Sequence, residues 1–189
     1  MEKYLAIVSG LFALAASPPY IIDTLKGKTK PERMTWFIFT ALSTIALISQ
    51  WSLGASWSLV FLALDALASL IVLTLSLTHG VGGHTQWDIF ALVVAFGGAA
   101  VSVVENRPIV ALFGVIIADL AGVLLTIRKT YEAPKSETTL SWLLFGVAAL
   151  FGALAVGKIE ADLLLYPIYI AAVCFAVPAT QLISRKLNS

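Results

Sequence analysis

The stretch SPPYIIDTLKGKTKPERMTW, residues 17–36, couples two prolines in an apolar run to a burst of basic residues. The run before it, residues 4–16, fits either half of a membrane helix or the core of a signal peptide. A cleaved signal carries its positive charge ahead of the apolar core and small residues at the cleavage site. The segment ALAAS, residues 13–17, offers such a site, but Lys3 is offset by Glu2. The strong cluster of Lys26, Lys28, Lys30 and Arg33 comes after the run. That order predicts a retained first helix whose far end is cytoplasmic, because Lys and Arg collect on the cytoplasmic side.

Composition agrees. The chain of 189 residues is 59% hydrophobic and 12% charged, against roughly a quarter charged in soluble domains. The expectation is a polytopic membrane protein with no soluble domain, and a net charge of +1 gives nucleic acid no purchase. Cys174 is the single cysteine, so no intrachain disulfide forms, and it reads as a small apolar packing residue.

A membrane crossing takes about 20 apolar residues. The runs that qualify are Tyr4–Leu25, Met34–Leu53, Trp57–Thr78, Trp87–Val104, Ile109–Ile127, Thr139–Val156 and Leu163–Ser184. With these spans, the first-loop cations share one side with Arg128, Lys129, Lys135, Arg185 and Lys186. Lys3, Arg107 and Lys158 fall opposite. The N-terminus is therefore expected outside and the C-terminus in the cytoplasm.

The chain also compares with itself. In IDTLKGKTKPERMTW and LTIRKTYEAPKSETTLSW, Pro31 falls on Pro134, and Trp36 falls on Trp142 if the second loop is three residues longer. The expected fold is all-α, with seven transmembrane helices as 3+1+3 parallel triple-helix repeats. Residues 1–80 form the first repeat, 81–107 the linker helix and 108–189 the second repeat; a single intervening helix gives both repeats one orientation.

This layout, with prolines near the cytoplasmic end of the first helix, resembles the SWEET or PQ-loop (MtN3-like) superfamily of small-solute transporters. PnuC-type vitamin transporters share the architecture. The family's Pro-Gln pair falls on Pro18-Pro19 or Pro19-Tyr20, where no glutamine stands, and the matching stretch LAGVLLTIRK has Gly122 and no proline. The first loop, GKTKPERMTW, is similar to that of bacterial membrane proteins, which implies a bacterial cytoplasmic membrane. The resemblance implies a facilitator or proton-linked transporter for a small polar metabolite such as a sugar or vitamin, with alternating access between two triple-helix bundles. The alternative is a non-transporting membrane interaction or sensing protein of the same fold. The expected partners are a small-molecule solute and the lipid bilayer; homo-oligomerisation stays open.

Two acids differ from the rest of the chain. Asp65 lies in VFLALDALASL and Asp119 in GVIIADLAGV, each mid-way along an apolar run. An aspartate at that depth costs about 2.5–3.5 kcal/mol on insertion scales and faces the protein interior or water. No basic residue within a span pairs with either, so both are candidates for solute binding or proton carriage; the alternative is an acid bonded to a neighbouring hydroxyl or carbonyl. Candidate pathway-lining residues are Trp36, Thr40 and Ser43 on one face of the second span, Trp142 on the sixth, and Tyr166 and Tyr169 on the seventh. Thr and Ser also bond readily to their own helix. Pro18, Pro19 and Pro178 are candidate hinges, since a helix proline deletes a backbone hydrogen bond.

The stripes Gly114/Ala118/Gly122 and Ala149/Ala153/Gly157 are expected to pack within the second triplet. Asp23 is expected to pair with Lys26 at the membrane edge, while Trp51, Trp57 and Trp87 read as interfacial anchors. His79 and His84 flank a glycine turn without a cluster that would bind metal. No catalytic constellation stands out, and neither an enzyme activity nor a cofactor is expected.

Tags at the two termini are expected on opposite faces of the membrane. Protease accessibility in sealed vesicles checks this, and finding both tags on one face overturns the topology.

Overall fold

The structure, a computed structural model, describes residues 2–52, 58–83, 85–104, 108–157, 159 and 161–187. Trp57, His84, Arg107 and Lys158 of the sequence reading lie outside the described residues. The chain is all-helical: α1 (Glu2–Leu25), α2 (Arg33–Ser52), α3 (Ser58–His79), α4 (Gln86–Val104), α5 (Pro108–Glu132), α6 (Thr139–Ala155) and α7 (Ala161–Leu187). Among the described residues there is no strand, only an isolated bridge between Glu32 and Val81.

Each helix coincides with one apolar run, and most ends agree within two residues. The main difference is α5, which continues past Ile127 through a charged turn to Glu132. Its last turn is supported by an Arg128–Glu132 ion pair at 3.0 Å, one helical turn apart. The continuation brings Lys129 to bear on the loop that follows. At the end of α1, Gly27 adopts φ 68, a left-handed conformation that favours glycine. The prolines Pro18 and Pro19 of α1, and Pro167 and Pro178 of α7, all lie inside continuous helices.

Six helices close a ring. α1 packs on α6, α6 on α7, α7 on α5, α5 on α2, α2 on α3, and α3 returns to α1. α4 stands outside the ring, against α5 and α2. Among the described residues α3 makes no backbone contact with α5 or α7, so the middle is met by side chains alone.

The α1–α2, α3–α4 and α5–α6 loops gather at one end. Lys30 N–H donates to Ser136 O at 2.9 Å, Val81 N–H to Pro31 O at 2.9 Å, and Arg185 at the end of α7 to Pro134 O at 3.3 Å. This is the end that carries Lys26, Lys28, Lys30, Lys129, Lys135 and Arg185. At the opposite end Gly157 lies against Glu2.

The polarity runs inside out. Large apolar side chains face outward, including Ile7, Leu11 and Leu14 on α1 and Ile89, Phe90 and Val93 on α4. Thr24, Thr35, Ser76, Thr126, Thr130 and Ser141 are fully buried. Two helices, Glu2–Leu25 and Leu164–Leu187, are long and apolar enough to cross a membrane.

The small-residue stripe on α5 does not pack within the second triplet. A Cβ on Gly98 of α4 would sit 2.4 Å from Gly114 O, and Gly122 faces Thr35 and Ile38 of α2. Small side chains here let the backbones of α4 and α2 approach α5. The face of α6 is divided: Gly146 receives the Phe175 ring of α7, whereas Ser9 of α1 donates to Ala148 O at 2.8 Å beside Gly152.

Gly98→Ala is expected to force α4 off α5 and destabilise the protein by roughly 1–3 kcal/mol, as overpacking does. Gly97→Ala, at a position with nothing within 4 Å of the added carbon, is expected to be neutral or mildly stabilising. Thermal unfolding in detergent compares them; an equal effect at both positions removes the α4–α5 contact from the account.

Candidate functional site

Trp36 and Trp142, matched in the sequence, start α2 and α6 and are both buried. Their indoles converge on one linked pair of side chains. Trp36 Nε1–H donates to Tyr20 Oη at 3.1 Å, and the Tyr20 hydroxyl donates to Glu137 Oε1 at 3.1 Å. Trp142 Nε1–H donates to Glu137 Oε2 at 2.8 Å, and Lys129 Nζ donates to Glu137 Oε1. The Glu137 side chain is wholly shielded from solvent, so these donors replace its water. α1, α2, α5 and α6 all contribute to this network.

Apolar side chains complete the seal. Tyr20 and Trp36 pack with Val72 of α3, while Trp142 packs with Cys174 and Val177 of α7. Phe39 of α2 packs against both groups. A polar rim surrounds them: Thr29 and Thr138 hydroxyls are 2.5 Å apart, Thr138 donates to Asp23 Oδ2 at 3.2 Å, and Thr126 donates to Thr35 at 2.9 Å. Asp23 thus accepts a hydroxyl from the facing loop rather than pairing with Lys26, because the end of α1 is packed against that loop.

A second acid, Glu32, is buried beside the seal. Its Oε2 caps α2 by accepting Thr35 N–H at 2.6 Å, whereas Oε1 has no partner. Gly82 makes room for it, since a Cβ there would sit 1.9 Å from Oε1. Burial pushes this carboxyl above its ordinary range; the Thr35 bonds pull it down in part and nearby Asp88 pushes it further up. Arg33 next to it is occupied, donating to Ser76 O at 3.0 Å, Gly82 O at 2.8 Å and Gly80 O at 2.9 Å. The start of α2 is thereby tied to the end of α3.

The middle of the ring holds the two sequence-flagged acids. Asp119 is buried on α5 and accepts the Tyr169 hydroxyl of α7 at 2.8 Å. Asp65, half-buried on α3, lies within electrostatic reach of Asp119, and Tyr166, exposed on α7, lies within reach of both. The Tyr166 and Tyr169 rings are 6.3 Å apart. No ion pair among the described residues reaches either carboxylate. Asp119, Tyr169 and Tyr166 are thus in contact, and Asp65 faces them from the other side of the ring.

The remaining candidates fall elsewhere. Thr40 donates to Trp36 O at 2.7 Å and Ser43 to Thr40 O at 3.2 Å, so both hydroxyl protons serve their own helix. Pro18 is exposed and Pro19 half-buried next to Tyr20, and Pro178 is buried next to Val177. Trp87 is exposed at the start of α4, with the Arg128 guanidinium 5.5 Å from its ring centre.

Tyr20, Lys129, Glu137 and Glu32 were not singled out as site residues in the sequence. One signal was present: an acid precedes each matched tryptophan, in PERMTW and SETTLSW. Aligning the segments on these acids needs one extra residue, against three when they are aligned on their prolines. Comparison with family models, with curated proteins and with solved structures finds no match to the chain.

Glu32 gives a pH dependence. A carboxyl raised in the folded state contributes stability that is full below its unfolded value and lost as pH rises through the folded value. The melting temperature of Glu32→Gln is therefore expected to gain on wild type as pH rises above the ordinary carboxylate range. A gap that narrows or reverses over that rise contradicts the burial of an unsatisfied carboxyl.

Proposed function

We propose that this chain is an integral membrane transporter for a small polar metabolite, built as two three-helix bundles joined by α4. Three features support the reading. The exterior is apolar while hydroxyls and acids are buried, the pattern of a bundle that meets lipid. The ring order is unchanged when α1, α2 and α3 are exchanged for α5, α6 and α7: the α1–α6 contact becomes α5–α2, and α1–α3 becomes α5–α7. That is the pairing expected of parallel repeats at residues 1–80 and 108–189. The basic loops gather at one end, as a cytoplasmic face would have them.

The observation that carries the reading is the meeting of Asp65 and Asp119 with Tyr166 and Tyr169 in the middle of the ring. Polar groups gathered about a buried acid between apolar helices are what a solute site offers. No Lys or Arg occurs in residues 58–78, 109–127 or 161–184. The site thus presents acceptors without a fixed cation, which suits a solute rich in N–H or O–H donors, such as a sugar or a vitamin. Access from the basic end is blocked by the tryptophan–tyrosine–glutamate seal, so the present geometry corresponds to a state closed on that side. Alternating access then requires the two bundles to part there.

A thermal-shift panel of sugars, vitamins and nucleosides on the purified protein, followed by uptake in liposomes, tests the proposal. Asp65→Asn and Asp119→Asn keep shape and most hydrogen bonding while removing the titratable proton. A binding acid is expected to lose affinity, and a proton carrier to lose pH-gradient-driven uptake while still exchanging solute. A structural acid would change stability by only about 1 kcal/mol and leave both assays alone. Wild-type binding and uptake in both variants would remove the acids from the mechanism, and absence of any binding or flux favours the non-transporting alternative.

A further inference from the structure

The bonds that join residues 2–52 to residues 108–157 at the basic end fall into two sets. Thr29–Thr138, Asp23–Thr138, Lys30–Ser136, Lys30–Lys129, Thr35–Thr126 and Thr35–Gly122 tie the loops and helix ends together. Tyr20–Glu137 forms the second set, because it alone among them is the point where Trp36 and Trp142 both terminate. It is also balanced internally: the charge of Glu137 is met by Lys129 of its own half, while the neutral Tyr20 hydroxyl comes from the other half. Separating the halves here therefore parts a hydroxyl from a carboxylate and the Lys129 ammonium from Lys30 O, and leaves the ion pair intact. Parting a buried ion pair instead would cost far more.

We propose that Tyr20 and Glu137 form the latch that holds the basic end of the ring shut, and that its release opens the interior from that side only. The purpose of the latch rests on the transporter reading above, but its geometry does not. Tyr20 follows Pro19, which lacks the N–H that would bond to the carbonyl one turn before it, so the helix is locally less restrained just where the hydroxyl must swing away. Glu137 sits on the last loop residues before α6, where a rigid-body shift of one bundle carries it away from α1 without remodelling either helix. Lys129 moves with it, and so the carboxylate stays compensated in both positions.

The protein carries its own reporter. Cys174 is its single cysteine and is buried. It packs against Trp142 and Val177 on the inner side of the latch and lies within electrostatic reach of Asp119. A thiol there is reached from the basic end only when the seal parts.

The test is the rate at which a membrane-impermeant maleimide labels Cys174 in full-length protein in sealed vesicles of known orientation. Reagent is added from the basic-loop side or from the opposite side. Wild type is expected to label slowly from the basic side. Tyr20→Phe is expected to label about tenfold faster from that side, the size of a change that loss of one hydrogen bond to a charged group produces, and Glu137→Gln, which also strips Lys129 of its counter-charge, at least as fast, with no change from the other side in either. Arg128→Ala, which removes the exposed ion pair with Glu132 and the contact with Trp87 and leaves the latch untouched, is the control and should match wild type. Unchanged labelling in both latch variants overturns the proposal, as does acceleration from both sides, which reports general loosening. Side-specific acceleration without any solute uptake would keep the latch and discard the transporter.

Discussion

A carboxylate cut off from water must be met by donors, and much of this structure follows from how Glu137 is met. Its ionic partner, Lys129, lies beyond the apolar part of α5, which explains why that helix runs on to Glu132. Its neutral partners fix the other elements: Trp142 sets the first turn of α6, and Tyr20 sets the depth at which α1 meets it. Removing one member of such a buried pair typically costs about 3–5 kcal/mol, because the other charge is left alone. The start of α2 joins through Trp36. Four helix ends are thus positioned by one side chain that belongs to a loop.

The second constraint is steric. Six helices in a ring must touch their neighbours closely enough to hold with only small buried apolar clusters between them. Small residues permit this where α4 and α2 meet α5, at Gly98, Gly114 and Gly122. Hydroxyls buried between helices add directional bonds, as Thr35 does to Gly122 O at 2.6 Å. Large apolar side chains, which would normally fill a core, are displaced to the outside. The interior is consequently polar where it matters, at Asp119 and Tyr169, and the backbone there stays satisfied within its own helices.

The helices and the two central acids were legible in the sequence because each breaks a strong background: polar turns in an apolar chain, and an acid in an apolar run. Buried loop charges were not. Lys129 and Arg33 read as ordinary surface cations useful for orientation, and Glu137 as part of a solvated connection, since a charge in a polar loop is usually exposed. Only the folded chain reveals that these loops lie under helix ends. Trp36 and Trp142 both lie buried at the starts of their helices, whereas anchoring the comparison on Pro31 and Pro134 set Glu32 out of line with Glu137. The ring order follows from contacts between distant segments, which periodicity within a segment does not encode. The hydroxyls of Thr40 and Ser43 show the same limit, because facing the same side of a helix does not say which acceptor takes the proton.

The burial of Lys129 also changes how the electrostatics of that end are counted. Its charge is cancelled by Glu137, and Arg33 is folded against three carbonyls. The cations left exposed are Lys26, Lys28, Lys30, Lys135 and Arg185 among others. Each such residue is worth about 1 kcal/mol near an anionic lipid surface, and its influence fades over roughly 8–10 Å in ordinary salt. On the membrane reading proposed above, the attraction of this end to a charged leaflet would reside in residues whose replacement leaves the interior untouched. Adhesion to the headgroups and integrity of the fold are written in separate lysines and arginines.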